Sequence, residues 1–518
     1  MITVMIFIPR DLYDKDSCLL YGNFALSSRG NIAIFYVLQL LQNVKERSSI
    51  NLTHVGQYNK SETSYANVAN RSINWLTVGN KYNDLFVKTL VVQGETVNMT
   101  SPKIIFITYD LPIFINTELL FFTACEREME NDENYFRTLM YNIKYCYTNI
   151  SNTNQKTSKR IILFVLEYLI LFLNWVLAGF VVLLPVLKLS SLCIRLHNSL
   201  ESFRWALDGQ IYHKSSKLKI GNYVVATLVD IISGYLILYW FMSLVSSTLP
   251  SQLLLHSAEE VVHTLQELLK WLMGIPAGLK LNFAFNKMLG KFFVYHINLW
   301  WTFLVLAEPV LDFIFFIFLC FGRLGLTFQA AILADLLALA SFHVYCIYVY
   351  AARLYNLQIS GLLALWRLFL GRKKNPLRGR VDSCEYTANQ LFIGTLAFTI
   401  LLFLLPTTFM YYIVFSTLRL LVSALAGLLI RIQFLLQAVP LYTLCMWLLK
   451  STSVSSSLHM KVQTRKSGVP LVLSMTPVRG SLWKTIKKSI PDPVKKPSAI
   501  MWGSLLKSIV TGQLIYPM

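Results

Sequence analysis

Glu259 and Glu267 are the first residues in the chain whose type and spacing point to a reaction. An E-x7-E pair occurs in retaining glycosyltransferases that use nucleotide sugars. Two glutamates eight positions apart also fall near one face of a helix, which is how a solvated face looks. No glycine-rich strand–turn–helix signal accompanies them, so nothing in the sequence cradles a diphosphate. The solvated face is the expectation, and no catalytic residue is assigned. A second set stands within or beside apolar runs: His296, Glu308, Asp312, Asp335, His343 and Arg431. Burying an ionisable group unpaired in hydrocarbon is costly, which makes each a functional candidate. The competing role, expected for His296, Glu308, Asp335, His343 and Arg431, is an interhelical polar contact that holds packing. A proton or ion pathway would need several such groups on one helix face, and no such file is visible. The third set is basic: Arg367, Arg372, Lys373, Lys374, Arg378 and Arg380 crowd one short segment. Arginine forks hold phosphate bidentately, so these are candidate contacts to a lipid headgroup or a partner. Cations beside a span also mark its cytosolic side on their own, and the two explanations stand level. Asp382-Ser-Cys384 beside them has no adjacent base, so no nucleophile is assigned there.

What positions these residues follows from composition. The 518 residues are 55% hydrophobic and 14% charged, far too apolar for a soluble globular chain. An α-helical polytopic membrane protein is expected, with about six spans and interfacial amphipathic helices. Roughly 20 apolar residues cross a bilayer core. The expected spans are Ile161–Leu189, Asn222–Leu249, Phe292–Phe321, Gly325–Ala352, Gln390–Phe415 and Leu420–Leu449. The first carries Glu167 and Asn174, the second Asp230. Leu192–Leu207 reads as an amphipathic helix, and Ser251–Met273, too charged to span and ended by Gly274 and Pro276, has the apolar periodicity of an interfacial or partner-facing helix. With both termini cytosolic, the basic 365–380 loop faces the cytosol, whereas the five cations of the 190–221 loop contradict the charge rule.

Residues 1–158 form the one long stretch without a span, and a small mixed α/β cytosolic domain is expected there. Strand-like runs are Thr3–Ile8, Asn31–Leu41, Lys88–Gln93 and Lys103–Tyr109, and the acidic 126–133 region belongs to a helix reaching Tyr147. The N-terminal run is too short in its apolar core, and lacks the basic flank, for a signal peptide. Sequons at Asn51, Asn59, Asn70, Asn98 and Asn149 are expected to be unused, because Lys156, Lys159 and Arg160 place the domain in the cytosol. The membrane domain is 159–450, and a basic, irregular cytosolic tail follows from 451 to 518. From Lys450 onward there are eleven Lys/Arg and one acid, Asp492, within a formal net charge of +20. That balance fits a flank near anionic lipid better than a nucleic-acid binder. Eight scattered cysteines show neither a disulfide framework nor metal spacing, and no cofactor is expected.

Longer strings carry a resemblance. Leu269-Lys-Trp-Leu-Met-Gly-Ile-Pro-Ala-Gly-Leu-Lys-Leu-Asn282, Leu289–Trp300, Phe342–Tyr355, Leu365–Phe369, Arg380–Cys384 and above all Gln390–Thr408 resemble the PIG-Q family. The likeness is dense over about 265–420 and recurs at Gly512-Gln-Leu-Ile-Tyr-Pro517. It implies a subunit of the endoplasmic-reticulum complex that begins glycosylphosphatidylinositol (GPI) synthesis by moving N-acetylglucosamine from UDP-GlcNAc to phosphatidylinositol. It also implies that catalysis resides in PIG-A, with PIG-C, PIG-H, PIG-P and small subunits as partners. The implied role for this chain is a non-catalytic scaffold. A polytopic lipid transporter or scramblase is the alternative, although no repeat relates the first and last three spans.

Overall fold

Thr3–Pro9 and Ile32–Leu41 are apolar at nearly every position rather than at alternate ones, the pattern of strands covered on both faces. A computed structural model shows why. It describes residues 3–27, 31–41, 52–60, 73–81, 84–97, 103–118, 120, 135–143, 158–212, 216–245, 250–375, 378–464 and 470–516. The acidic 126–133 region and the sequons at Asn51, Asn70, Asn98 and Asn149 lie outside these residues; Asn59 ends a strand.

The chain forms two compact units. The first comprises Met1–Leu177, Glu201–Val225 and Val439–Pro493. Its strands are β1 (Thr3–Pro9), β2 (Ser17–Leu26), β3 (Ile32–Leu41), β4 (Thr53–Asn59), β5 (Trp75–Lys81), β6 (Asp84–Val92), β7 (Glu95–Thr96), β8 (Lys103–Tyr109), β11 (Ser455–Thr464) and β12 (Leu471–Arg479). They make one sheet in the order β11-β12-β8-β1-β3-β2-β4-β5-β6-β7. The four central strands β12, β8, β1 and β3 are parallel neighbours, so both of their faces need cover. On one face Phe7, Ile34, Tyr36 and Ile107 pack under α1 (Leu111–Asn116) and α2 (135–143). On the other, Val4, Ile6, Phe35, Val37 and Phe106 join residues from β2, β4, β5 and β6 in a second core. Cys18 lies in that core, where burial pushes its thiol up to about 11 and keeps it neutral. The six described cysteines are all free.

Two expectations change here. Within the N-terminal stretch the sheet has four strands, β2, β4, β5 and the two-residue β7, beyond the runs read as strands. The stretch after Leu449, expected to be irregular, instead supplies β11 and β12, and β12 pairs in parallel with β8 from Leu471↔Ile105 to Met475↔Tyr109.

The second unit comprises Ala178–Leu200, Ala226–Ala438 and Val494–Met518. The helices after residue 157 are α3 (Ser158–Leu187), α4 (Ser191–Tyr212), α5 (Lys217–Val245), α6 (Pro250–Met273), α7 (Phe283–Leu306), α8 (Glu308–Gly322), α9 (Leu326–Ala340), α10 (Phe342–Phe369), α11 (Ala388–Ala438), α12 (Leu441–Leu448), α13 (Leu482–Lys488) and α14 (Trp502–Thr511). Between α10 and α11 stands a small hairpin, β9 (Arg372–Asn375) and β10 (Arg380–Ser383). Leu269, Leu272, Phe293, Ile297, Tyr348 and Phe415 are among the residues of the core that joins α6, α7, α10 and α11. The terminal segment packs on it: Asn356 donates to the Thr511 carbonyl (2.6 Å), Tyr412 to that of Ile509 (2.7 Å), and the Ile515 N–H donates to Tyr348 Oη (3.0 Å). Gly512 makes this turn with φ 66°, and a Cβ there would stand 2.7 Å from the Tyr355 ring.

The span count is lower than expected. Among the described residues four helices are long and apolar enough to cross a membrane, or five if α9 and α10, bent by 51°, form one span. The expected third span breaks at Ala307, because Glu308-Pro309 opens a new helix: proline at a first-turn position has no N–H to lose. The expected fifth span and the greater part of the sixth are one continuous helix, α11, of 51 residues, while the end of the sixth is the separate helix α12 that begins after Pro440. The break anticipated at 416–419 does not exist, and Arg419, which would have faced water there, is buried.

Because Met475 is fully buried on the helix-covered face of the sheet, Met475→Ala should destabilise the first unit by about 2–5 kcal/mol. Val478→Ala, three residues further along the same strand and half exposed, should stay within about 0.5 kcal/mol. Thermal unfolding of the full chain in detergent, followed by near-ultraviolet circular dichroism, separates the two.

Candidate polar contacts and basic hairpin

A helix begins with N–H groups that have no partner within the helix, and at membrane level water cannot supply one. The chain meets this need with side chains from distant segments. Asp230 of α5 accepts from the Thr327 N–H (2.8 Å) and the Thr327 hydroxyl (2.6 Å) at the start of α9. Arg195 of α4 joins them, donating from Nε to Thr327 Oγ1 (3.0 Å), with its Nη2 3.9 Å from Asp230. Close approach is possible because Gly234 and Gly325 carry no Cβ; one added at Gly325 would meet the Asp230 carboxylate at 2.5 Å. Asp335 of α9 performs the same task for α4, accepting from the Ser191 and Leu192 N–H groups (2.6 and 3.1 Å) and from the Ser190 hydroxyl (2.6 Å). Within the first unit, Glu118 accepts from the Leu218 N–H at the start of α5. Asn222 likewise accepts from Thr443 N–H in the first turn of α12 (2.9 Å). A carboxylate facing a helix N-terminus also interacts favourably with its dipole.

The other intramembrane candidates divide. His343 is buried, holds the Ala340 carbonyl at 3.0 Å through Nδ1, and lies against Trp300 with ring centroids 3.9 Å apart. His296 contacts the Phe292 carbonyl of its own helix (2.9 Å) and the Tyr350 ring of α10. Arg431 donates to the Gly427 carbonyl of its own helix (3.2 Å), and Glu308 occupies the first turn of α8. These four do not converge. Asp335 thus bonds a helix far from it in sequence, and His343 of α10 reaches back to Ala340 at the end of α9, while Asp230, noted only as a charge within a span, is the centre of a larger cluster with Arg195 and Thr327. No spacing signals that cluster, since its three members are 35 and 97 residues apart in pairs. Asn286 was not singled out either. It donates to the Leu272 and Met273 carbonyls at the end of α6 and accepts from Tyr411 Oη (2.7 Å).

Glu259 and Glu267 lie exposed on α6, beside histidines of the same helix: His256–Glu259 at 4.0 Å and His263–Glu267 at 3.5 Å. Their neighbours are those of a solvated face. Among the described residues no group of His, Cys, Asp and Glu could hold a metal ion.

The basic residues gather on the hairpin rather than in an irregular loop. Gly371 and Gly379, at φ 64° and 62°, allow its turns. Asp382 faces Lys373 across the strands and is taken up by Arg380 Nε (2.7 Å) and the Asn375 amide (3.0 Å). Arg372, Lys373, Lys374 and Arg378 stay exposed and have no ion pair among the described residues. Arg367 stands apart in the last turn of α10, donating to the Leu363 carbonyl (3.1 Å). Exposed Trp366 and Leu370 adjoin the hairpin, an arrangement suited to a membrane surface.

Residues 137–456 match the family described as the N-acetylglucosaminyl transferase component (Gpi1). The chain is 42% identical over 333 residues to subunit Q of phosphatidylinositol N-acetylglucosaminyltransferase from Mus musculus, a match covering 64% of this chain and 57% of that protein. It is 41% identical over 320 residues to the Homo sapiens subunit Q, covering 62% and 40%. The N-acetylglucosaminyl-phosphatidylinositol biosynthetic protein gpi1 of Schizosaccharomyces pombe is 31% identical over 204 residues, covering 39% and 31%. The chain therefore spans about half the length of the mammalian relatives it matches. No solved structure matches it.

Replacing Asp230 with Leu leaves Arg195 without its carboxylate, and thermal unfolding in detergent should show a loss of about 3–5 kcal/mol. The double variant Asp230→Leu/Arg195→Met should recover much of that loss. A double variant as unstable as the sum of the two singles would show that the pair is not coupled.

Proposed function

The chain belongs to the Gpi1 family of N-acetylglucosaminyl transferase components, and from that premise we propose that it is a non-catalytic scaffold subunit of a phosphatidylinositol N-acetylglucosaminyltransferase. The assembly would move N-acetylglucosamine from UDP-GlcNAc to phosphatidylinositol, the first step of GPI-anchor synthesis, at the endoplasmic-reticulum membrane. The observation that carries the proposal is the family match over residues 137–456, which covers the apolar helices, the basic hairpin and the capped helix ends together. The exposed setting of Glu259 and Glu267 supports the non-catalytic role, because a carboxylate beside a reacting sugar needs an environment that tunes it. Catalysis would then reside in a partner corresponding to PIG-A, with PIG-C, PIG-H, PIG-P and small subunits completing the assembly.

The buried caps support a scaffold role in physical terms. They hold helix ends at set positions, and a surface built from such helices presents a constant shape to other subunits. Arg372, Lys373, Lys374 and Arg378 would meet the anionic headgroup of phosphatidylinositol or the lipid surface around it. Arg380 is less available, being held by Asp382.

The gentle-detergent pull-down of tagged chain should yield transferase activity, whereas the same chain purified alone should yield none. Activity in the isolated chain would return attention to Glu259 and Glu267. Reversing Arg372, Lys373 and Lys374 to Glu should lower transfer about tenfold or more while the subunits still co-purify, since each cation near an anionic surface is worth about 1 kcal/mol. Unchanged transfer would remove the hairpin from the lipid-binding role.

A further inference from the structure

One buried charge has no role in the packing described above. Arg419 sits just past the midpoint of α11 and is only 7% exposed. Its guanidinium carbon lies 4.6 Å from the Tyr345 ring centroid, a cation–π contact that uses the face of the group and not its N–H bonds. Nε and Nη2 are buried and donate to nothing among the described residues. Four residues on, the Ser423 hydroxyl is also buried without a partner. Both residues line one cavity of about 420 Å³, within the range of small-molecule sites, whose remaining wall includes Leu337, Ala338, Phe342 and Val422.

Arginine cannot shed its proton in a protein, so the usual escape of a buried base is closed to it. A guanidinium in an apolar wall with idle donors needs an acceptor that carries negative charge and several oxygens. The fork of Nε and Nη2 is the arrangement that holds phosphate oxygens bidentately, and the Ser423 hydroxyl, one helical turn on, is a further donor. The apolar wall asks for hydrocarbon attached to that phosphate. We infer that this cavity binds a glycerophospholipid, with its phosphodiester on Arg419 and Ser423 and the start of an acyl chain against Leu337, Phe342 and Val422. The site differs from the basic hairpin in kind: one is an exposed cluster of cations, the other a single enclosed arginine. The inference does not rest on the proposed transferase assembly.

The test is native mass spectrometry of the delipidated full chain in mild detergent, titrated with dioleoylphosphatidylglycerol, dioleoylglycerol or inorganic phosphate. The wild type should bind one dioleoylphosphatidylglycerol in preference to dioleoylglycerol. Arg419→Met should weaken that binding about tenfold or more, and Arg419→Lys should lose less. Ala338→Phe, which fills the cavity while keeping the arginine, should also lose the lipid, so the site remains testable if Arg419→Met does not fold. Lys484→Met, which removes an exposed cation of the first unit, should bind as wild type does. Equal binding of dioleoylglycerol would mean an apolar cavity with no phosphate role, and displacement by inorganic phosphate at similar concentration would mean a free-anion site. Undiminished lipid binding by Arg419→Met, or cross-linking of Ser423→Cys to a copurifying subunit in place of lipid, would overturn the proposal.

Discussion

A helix that starts where water is scarce must borrow acceptors for its first N–H groups, and that constraint organises this chain. Asp230 serves α9, Asp335 serves α4, Glu118 serves α5 and Asn222 serves α12. Each acceptor comes from a segment far away in sequence. The helices are therefore joined end to side by bonds that are directional and, for the carboxylates, charge-assisted. Apolar packing alone discriminates poorly between one helix surface and another inside hydrocarbon. A carboxylate that must find two N–H groups discriminates well. Removing a cap should thus affect arrangement as well as stability.

What could be read from the sequence follows from how local each signal is. β1, β3 and β8 were legible because parallel strands covered on both faces are continuous apolar runs. The helix at Pro250–Met273 was legible from its period and its Gly274/Pro276 stop. β11, with Ser455-Ser-Ser-Leu-His-Met-Lys-Val-Gln-Thr464, offers little hydrophobic contrast because it is an edge strand with one partner, and its place is set by β12 and β8. Apolar content located the membrane helices but overcounted them. Hydropathy does not register that Glu308-Pro309 starts a helix, nor that Arg419 stays inside one. The basic segment was visible as charge, but its hairpin depends on two glycines of positive φ and on the pairing of Asp382 with Arg380. The Asp230–Arg195–Thr327 cluster was invisible for a simpler reason: its members meet only after three helices have packed.

Positive charge appears in two electrostatic settings. On the hairpin, several cations remain in water, where attraction is long-ranged, additive and weakened by salt. At Arg419 one cation is enclosed, where geometry and the identity of the acceptor matter more than number. The first setting suits recruitment to an anionic surface, the second retention of one molecule. The hairpin joins α10 to α11 and Arg419 lies within α11, all inside the matched region.

The parallel pairing of β12 with β8 also has a temporal meaning. Thr108 donates to the Leu473 carbonyl across 365 residues of chain. At about 5–20 residues per second, that separation corresponds to roughly 20–70 s of translation. During that interval the nascent β8 edge has its backbone groups open, the condition in which strands recruit unsuitable neighbours. Among the described residues, the candidate membrane helices all precede the strand that closes this edge. The sheet is thus completed only after the helices between β8 and β12 have been made, and until then the β8 edge stays open to a neighbour.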